Sequence, residues 1–179
     1  MLRRPNSILL IVDVQGNLAN MVYERDLLVQ NLQKLILGMQ ALEVPILWME
    51  QNPRGLGSTI PEIADLLPGI EPIAKMSFSG CRNERFMESL HALNRRQVLV
   101  AGIETHICVY QTVADLMDMG YEVQVVADAV SSRSEANRKI GLRKMRDCGA
   151  SLTSVETALF ELVGSAAEEC FKKILKIVK

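Results

Sequence analysis

Residues 101–116 read AGIETHICVYQTVADL. They finish an apolar run, RQVLVAGI (96–103), and pass within two residues into a helical pattern, THICVYQTVADLMDMG (105–120), closed by Gly120. A run of branched residues without polar alternation is the pattern of a strand buried on both faces. A helix that follows at once makes a strand–turn–helix unit, and Cys108 sits in its first turn. Thr105 is placed as the N-cap. That puts Cys108 near the third helical position, where the positive helix end favours a thiolate.

The same alternation runs outward from this unit in both directions. SILLIVDV (7–14) is a strand ending in a carboxylate, DLLVQNLQKLILGMQALE (26–43) a helix, and VPILWME (44–50) a second strand. A Gly- and Pro-rich loop (51–69) follows, with a short helix expected at Pro61–Leu67; loops of this length in compact domains are often functional. IEPIAK (70–75) is a short third strand and NERFMESLHAL (83–93) a helix. Past the central unit, YEVQVVADA (121–129) is a strand. Ser132 and Glu135 have capping-box spacing before a helix at 134–148. ASLTSV (150–155) is a last strand, and 156–178 is helical. No linker and no repeat interrupts the series. The expectation is one α/β domain over residues 1–179, a Rossmann-like three-layer α/β/α sandwich. Its mostly parallel six-stranded sheet has the order 3-2-1-4-5-6.

Bulk properties narrow the function. The chain has 179 residues, 49% of them apolar, and a net charge of −1. With no basic stripe carrying interleaved aromatics, nucleic acid is not an expected partner. The two arginines before an apolar stretch at the N-terminus resemble a signal peptide. Asp13 cuts that stretch too short for a signal core or a membrane span. KKILKIVK at the end is basic and amphipathic, and is read as a solvated helix end rather than a membrane contact. The four cysteines form no CxxC pair, which points to free thiols in a reducing, cytoplasmic compartment.

Ligands in open α/β sheets collect at the carboxyl ends of the strands, where the strand order reverses. Three reactive side chains fall at such ends: Asp13 after strand 1, Lys75 after strand 3, Cys108 after strand 4. A nucleophilic Cys normally takes a His as base. The chain has two His, and His106 is two positions from Cys108, on a different helix face. His91 belongs to an amphipathic surface helix. The remaining local base is Asp13, with Lys75 as its electrostatic partner, a cation that lowers the thiol pKa. The bland alternatives are a Cys used for packing, an Asp capping a loop and a solvated Lys.

LLIVDVQ (9–15), KMSFSG (75–80) and AGIETHICV (101–109), in that order, resemble the three motifs of the isochorismatase-like cysteine hydrolases. VVADAVSSRS (125–134) and ETALFELVG (156–164) extend the likeness over nearly the whole chain. It is greatest to the isochorismatase domain-containing proteins, which share the QNPRGLGST-like loop. The resemblance implies a triad of Asp13 (base), Lys75 (its partner) and Cys108 (nucleophile). It also implies a cis peptide at Ile103–Glu104 and an oxyanion hole from the backbone N–H groups of Glu104 and Cys108. The implied reaction cleaves the C–N bond of a small amide through a thioester, without cofactor or metal, in a homo-oligomer. Gln15, Trp48, Phe78, Cys81 and Ile107 are expected to shape the pocket. Two departures matter. Nicotinamidases carry a metal-binding Asp-x-His where this chain has MEQNPRGLGST, and true isochorismatases typically lack the Cys. A phosphatase of the haloacid-dehalogenase type would need a second Asp where Gln15 stands. The non-enzymatic alternative is an interaction or redox-responsive protein that keeps the fold and a reactive thiol.

Overall fold

The computed structural model describes all 179 residues. Strand β1 (Ser7–Val12) lies at its centre, and every residue of it is buried. It pairs in parallel with β2 (Ile46–Gln51) on one side and β4 (Gln97–Ile103) on the other. β3 (Ile73–Lys75) joins β2, while β5 (Glu122–Ser131) and β6 (Ser151–Thr153) extend the sheet beyond β4. All pairings are parallel, and the order is β3-β2-β1-β4-β5-β6. The order reverses between β1 and β4, in agreement with the expected order.

Helices cover both faces. α1 (Gly16–Asn20), α2 (Arg25–Ala41), α3 (Pro53–Leu56), α4 (Pro61–Ala64), α5 (Glu84–Ala92), α6 (Tyr110–Asp118), α7 (Glu135–Asp147), α8 (Val155–Val163) and α9 (Phe171–Val178) follow in chain order. α2 forms because Leu28, Leu32, Leu35, Ile36 and Met39 recur at helical spacing and bury one stripe. With α4, α8 and α9 it packs against one face of the sheet; α5, α6 and α7 pack against the other.

The structure departs from the sequence expectations in local ways. The residues before α6 form a wide turn, Thr105–Val109, of the π type, in which Glu104 O accepts from both Ile107 N and Val109 N. Glu104, not Thr105, holds the cap position, and the buried Thr105 Oγ1 has no partner. Ser134 rather than Ser132 caps α7, accepting from Asn137 N. The expected final helix is two, because Gly164 takes a positive φ of 74° and ends α8.

Strand register sets where the reactive ends meet. Val12 lies opposite both Met49 and Gly102, and Gln51 lies opposite Lys75. The residues that follow β1, β2, β3 and β4 therefore emerge at one edge. Gly102 makes the β1–β4 approach possible. Its φ is +117°, and a Cβ there would lie 2.1 Å from Val12 O. Gly141 lets α7 lie directly on the π turn, since a Cβ there would lie 2.6 Å from the Thr105 carbonyl.

Candidate active site

Asp13 leaves β1 in a left-handed conformation, φ 52°, with its N–H still bonded to Met49 O. A non-glycine residue held there is uncommon, and such positions cluster at functional sites. The residue is 2% exposed. Its Oδ2 accepts from Lys75 Nζ at 2.7 Å, while Oδ1 has no protein partner. Burial raises the Asp13 pKa above the usual carboxylate value, and the adjacent Lys75 only partly offsets it.

Lys75 ends β3 with its ammonium fully buried. Nζ faces four oxygens: Asp13 Oδ2, Gln51 Oε1 at 2.8 Å, and the carbonyls of Phe78 at 3.1 Å and Ser77 at 3.3 Å. Three N–H donors meet four acceptors, so the charge is saturated without water. The loop turns carbonyls towards Nζ and leaves Met76 and Phe78 largely exposed.

Cys108 sits in the π turn as a free, buried thiol. Its carbonyl accepts from Thr112 Oγ1 at 2.7 Å, and that oxygen accepts in turn from Gly80 N at 2.9 Å. This ties the turn to the loop after Lys75. Asp13 and Lys75 are the charged groups acting on the thiol. The expectation that Lys75 and the helix start lower its pKa is corrected here. Burial, followed by the Asp13 charge, pushes the thiol from the usual 9.0 up to about 12, against the pull of Lys75. Burial therefore favours the neutral form of the Cys108 thiol.

The other candidates divide. Gln15 is fully buried and its amide is spent on the protein. Oε1 accepts from Gln51 N at 2.6 Å, and Nε2 donates to the carbonyls of Gln51 and Gly57. It anchors the loop after β2 rather than offering a group to a ligand. Trp48 is corrected more sharply. It lies in the apolar core on the opposite sheet face, its Nε1 donating to Ile70 O, whereas Cys108 belongs to the other core. Cys81 is buried near α6, its thiol donating to Thr112 O at 3.8 Å and raised to about 12 by burial. Phe78 is exposed on the Lys75 loop, and Ile107 is half-buried on the Cys108 turn. Glu104 follows a cis peptide, and its buried carboxylate accepts from Arg133 N and Nε. His106 Nδ1 contacts Ser132 Oγ at 3.0 Å, and His91 is exposed on α5.

Sequence reasoning passed over Glu50 and Gln51. Glu50 Oε1 accepts from Thr59 N and Oγ1, and Gln51 holds Lys75. Their one signal was a polar pair ending an otherwise apolar strand. No three His, Cys, Asp or Glu side chains come together as a set that would hold a metal ion. No helix is long and apolar enough to cross a membrane.

The isochorismatase domain model matches residues 7–157. The secreted isochorismatase effector Isc1 of Phytophthora sojae is 37% identical over 97% of this chain and 85% of its own length. Isochorismatase domain-containing protein 2 of Pongo abelii is 38% identical over 97% and 83%. The solved structure of the MAR1 ribonuclease of Caenorhabditis elegans superposes with a TM-score of 0.93 at 33% identity, covering 99% of this chain and 91% of that one.

Proposed function

The chain belongs to the isochorismatase family, and from that premise we propose that it is a cysteine hydrolase cleaving the C–N bond of a small, non-peptide amide. The observation that carries this reading is the buried group of three at the switch point. A neutral Cys108 thiol lies under the influence of an Asp13 carboxylate whose second oxygen is unpartnered, and Lys75 holds the first.

Cys108 Sγ attacks the carbonyl carbon as Asp13 takes the thiol proton. The raised Asp13 pKa makes it a stronger base than an ordinary carboxylate, and attack is coupled to proton transfer because burial disfavours a standing thiolate. The carbonyl oxygen gains the negative charge, and the backbone N–H groups of Glu104 and Cys108 are the donors assigned to it. Losing one such donor costs on the order of 100- to 1,000-fold in rate. Asp13 returns the proton to the leaving nitrogen as the C–N bond breaks, leaving a thioester. Water, deprotonated by Asp13, releases the acid and restores the thiol. Lys75 keeps Asp13 oriented and limits the cost of its buried charge. No step calls on a cofactor or metal.

All four cysteines are unpaired, which favours a reducing, cytoplasmic setting; the P. sojae relative is named as secreted. The test is ammonia release from primary amides, ureido acids and nicotinamide, with RNA included because of the C. elegans relative's name. Release by the wild type and none by Cys108→Ala supports the proposal. Release undiminished in Cys108→Ala, or cleavage of RNA alone, overturns it.

A further inference from the structure

We propose that Gln51 is a positioning residue for Lys75, and that its uncharged amide is what lets the Asp13–Lys75 pair serve Cys108. This rests on the reading of Cys108 as nucleophile.

The amide is held at both ends. Oε1 accepts from Lys75 Nζ at 2.8 Å, and Nε2 donates to Met76 O at 2.8 Å. An ammonium offers only donors and a carbonyl only acceptors, so one orientation of the amide satisfies both. The backbone of Gln51 is fixed by Gln15, whose side chain accepts from its N–H and donates to its carbonyl. Asn52 N donates to Lys75 O at 2.8 Å, so β2 and β3 stay paired to the last residue. Gln15 thus holds Gln51, and Gln51 holds both Lys75 and the first peptide of the loop that wraps it.

Charge explains why an amide is needed here. The charged and titratable groups that act on Asp13 are Lys75 at the end of β3, Cys108 on the turn after β4 and Glu50 in β2. Lys75 already holds one buried carboxylate, Asp13, and a second, Glu50, lies close enough to Asp13 to raise its pKa further. A glutamate at 51 would add a third. It would compete with Asp13 for Lys75, favour the protonated form of Asp13 and repel Met76 O. A methionine would fill the space and accept nothing from the ammonium.

The experiment follows alkylation of Cys108 by acrylamide, a small amide that is also a thiol-reactive electrophile, read by mass spectrometry of peptides from the full-length protein. Rates are taken from pH 4 to 9 for wild type, Gln51→Glu and Gln51→Met, with Cys148 as internal reference. An ordinary exposed thiol loses about tenfold in rate per pH unit below its pKa. A thiol served by a carboxylate instead keeps a plateau down to the pH at which the carboxylate protonates. The wild type should show that plateau at Cys108. Gln51→Glu should move its acid limb upward by on the order of one pH unit. Gln51→Met should leave the limb in place and lower the plateau by on the order of tenfold, the loss of one charge-assisted bond. A purely structural role predicts equal losses with no shift; an unshifted limb in folded Gln51→Glu overturns the proposal. The two variants differ in charge rather than size. If Gln51→Met does not fold, the position of the Gln51→Glu limb decides alone. Absence of a plateau in the wild type would remove the nucleophile reading itself and this inference with it, an outcome separate from an unshifted limb.

Discussion

The two faces of the sheet are built differently. On one, α2, α4, α8 and α9 bury a core of 30 apolar residues, Trp48 among them, with no cysteine in its buried set. On the other, α5, α6 and α7 cover a smaller core of 20 residues that includes Cys81 and Cys108 and reaches the polar carboxyl edge. The larger face fixes β1 and β4 by burial alone. The smaller face must also accommodate a buried ion pair, a π turn and two thiols held neutral. The larger apolar core lies on one side of the shared sheet and the proposed chemistry on the other. A division of this kind lets a strained, partly polar site persist.

The largest effect should come where the faces share backbone. Gly102→Ala would set a Cβ against Val12 O at a φ closed to alanine. It should cost more than about 4 kcal/mol, seen as loss of the cooperative urea transition. Lys75→Met tests the chemical face. It leaves the Asp13 carboxylate buried without its cation and should destabilise by about 3–5 kcal/mol while abolishing turnover. Leu35→Ala tests the other face. A fully buried Leu there should cost about 2–5 kcal/mol in urea unfolding, and the pH profile of Cys108 should stay unchanged. A shifted profile would break the division.

The fourth effect is alkaline. Cys81 and Cys108 are both held near 12 in the fold against 9.0 when exposed. Between those values the unfolded chain has released the protons that the folded one keeps. Stability from both thiols is therefore complete below pH 9 and is lost as pH rises from about 9 to 12. Cys81→Ala should lie below wild type in melting temperature at pH 7, with the gap narrowing as pH approaches 11. A gap independent of pH would contradict this. Phe78→Ala, on an exposed side chain, should change stability by less than about 0.5 kcal/mol, measured by the same melt.

What could be read from the chain follows from how periodicity works. β1 and β4 are buried along their whole length, so their apolar runs were plain, and the residues ending them marked the switch point. Trp48 was misplaced for the same reason. In a strand that is apolar on both sides, composition does not say which face a side chain takes, and one residue separates Trp48 in one core from Met49 in the other. The π turn was missed because no residue pattern in the segment sets it apart from an ordinary first helical turn, and its packing against Gly141 of α7 is a tertiary contact. Glu50 and Gln51 looked like the polar start of a loop.

The sequence by itself determined the alternation of strands and helices, and hence a parallel sheet with Asp13, Lys75 and Cys108 at the carboxyl ends of its strands. Those follow from local patterns of burial and turn. Only the tertiary structure decided the strand order, the depth of burial of those groups and the partners of each polar atom. A lysine near a thiol predicts a lowered pKa. The depth at which the fold places that thiol, beside an equally buried carboxylate, reverses the sign, because desolvation depends on everything packed around a group and not on its neighbours in the chain.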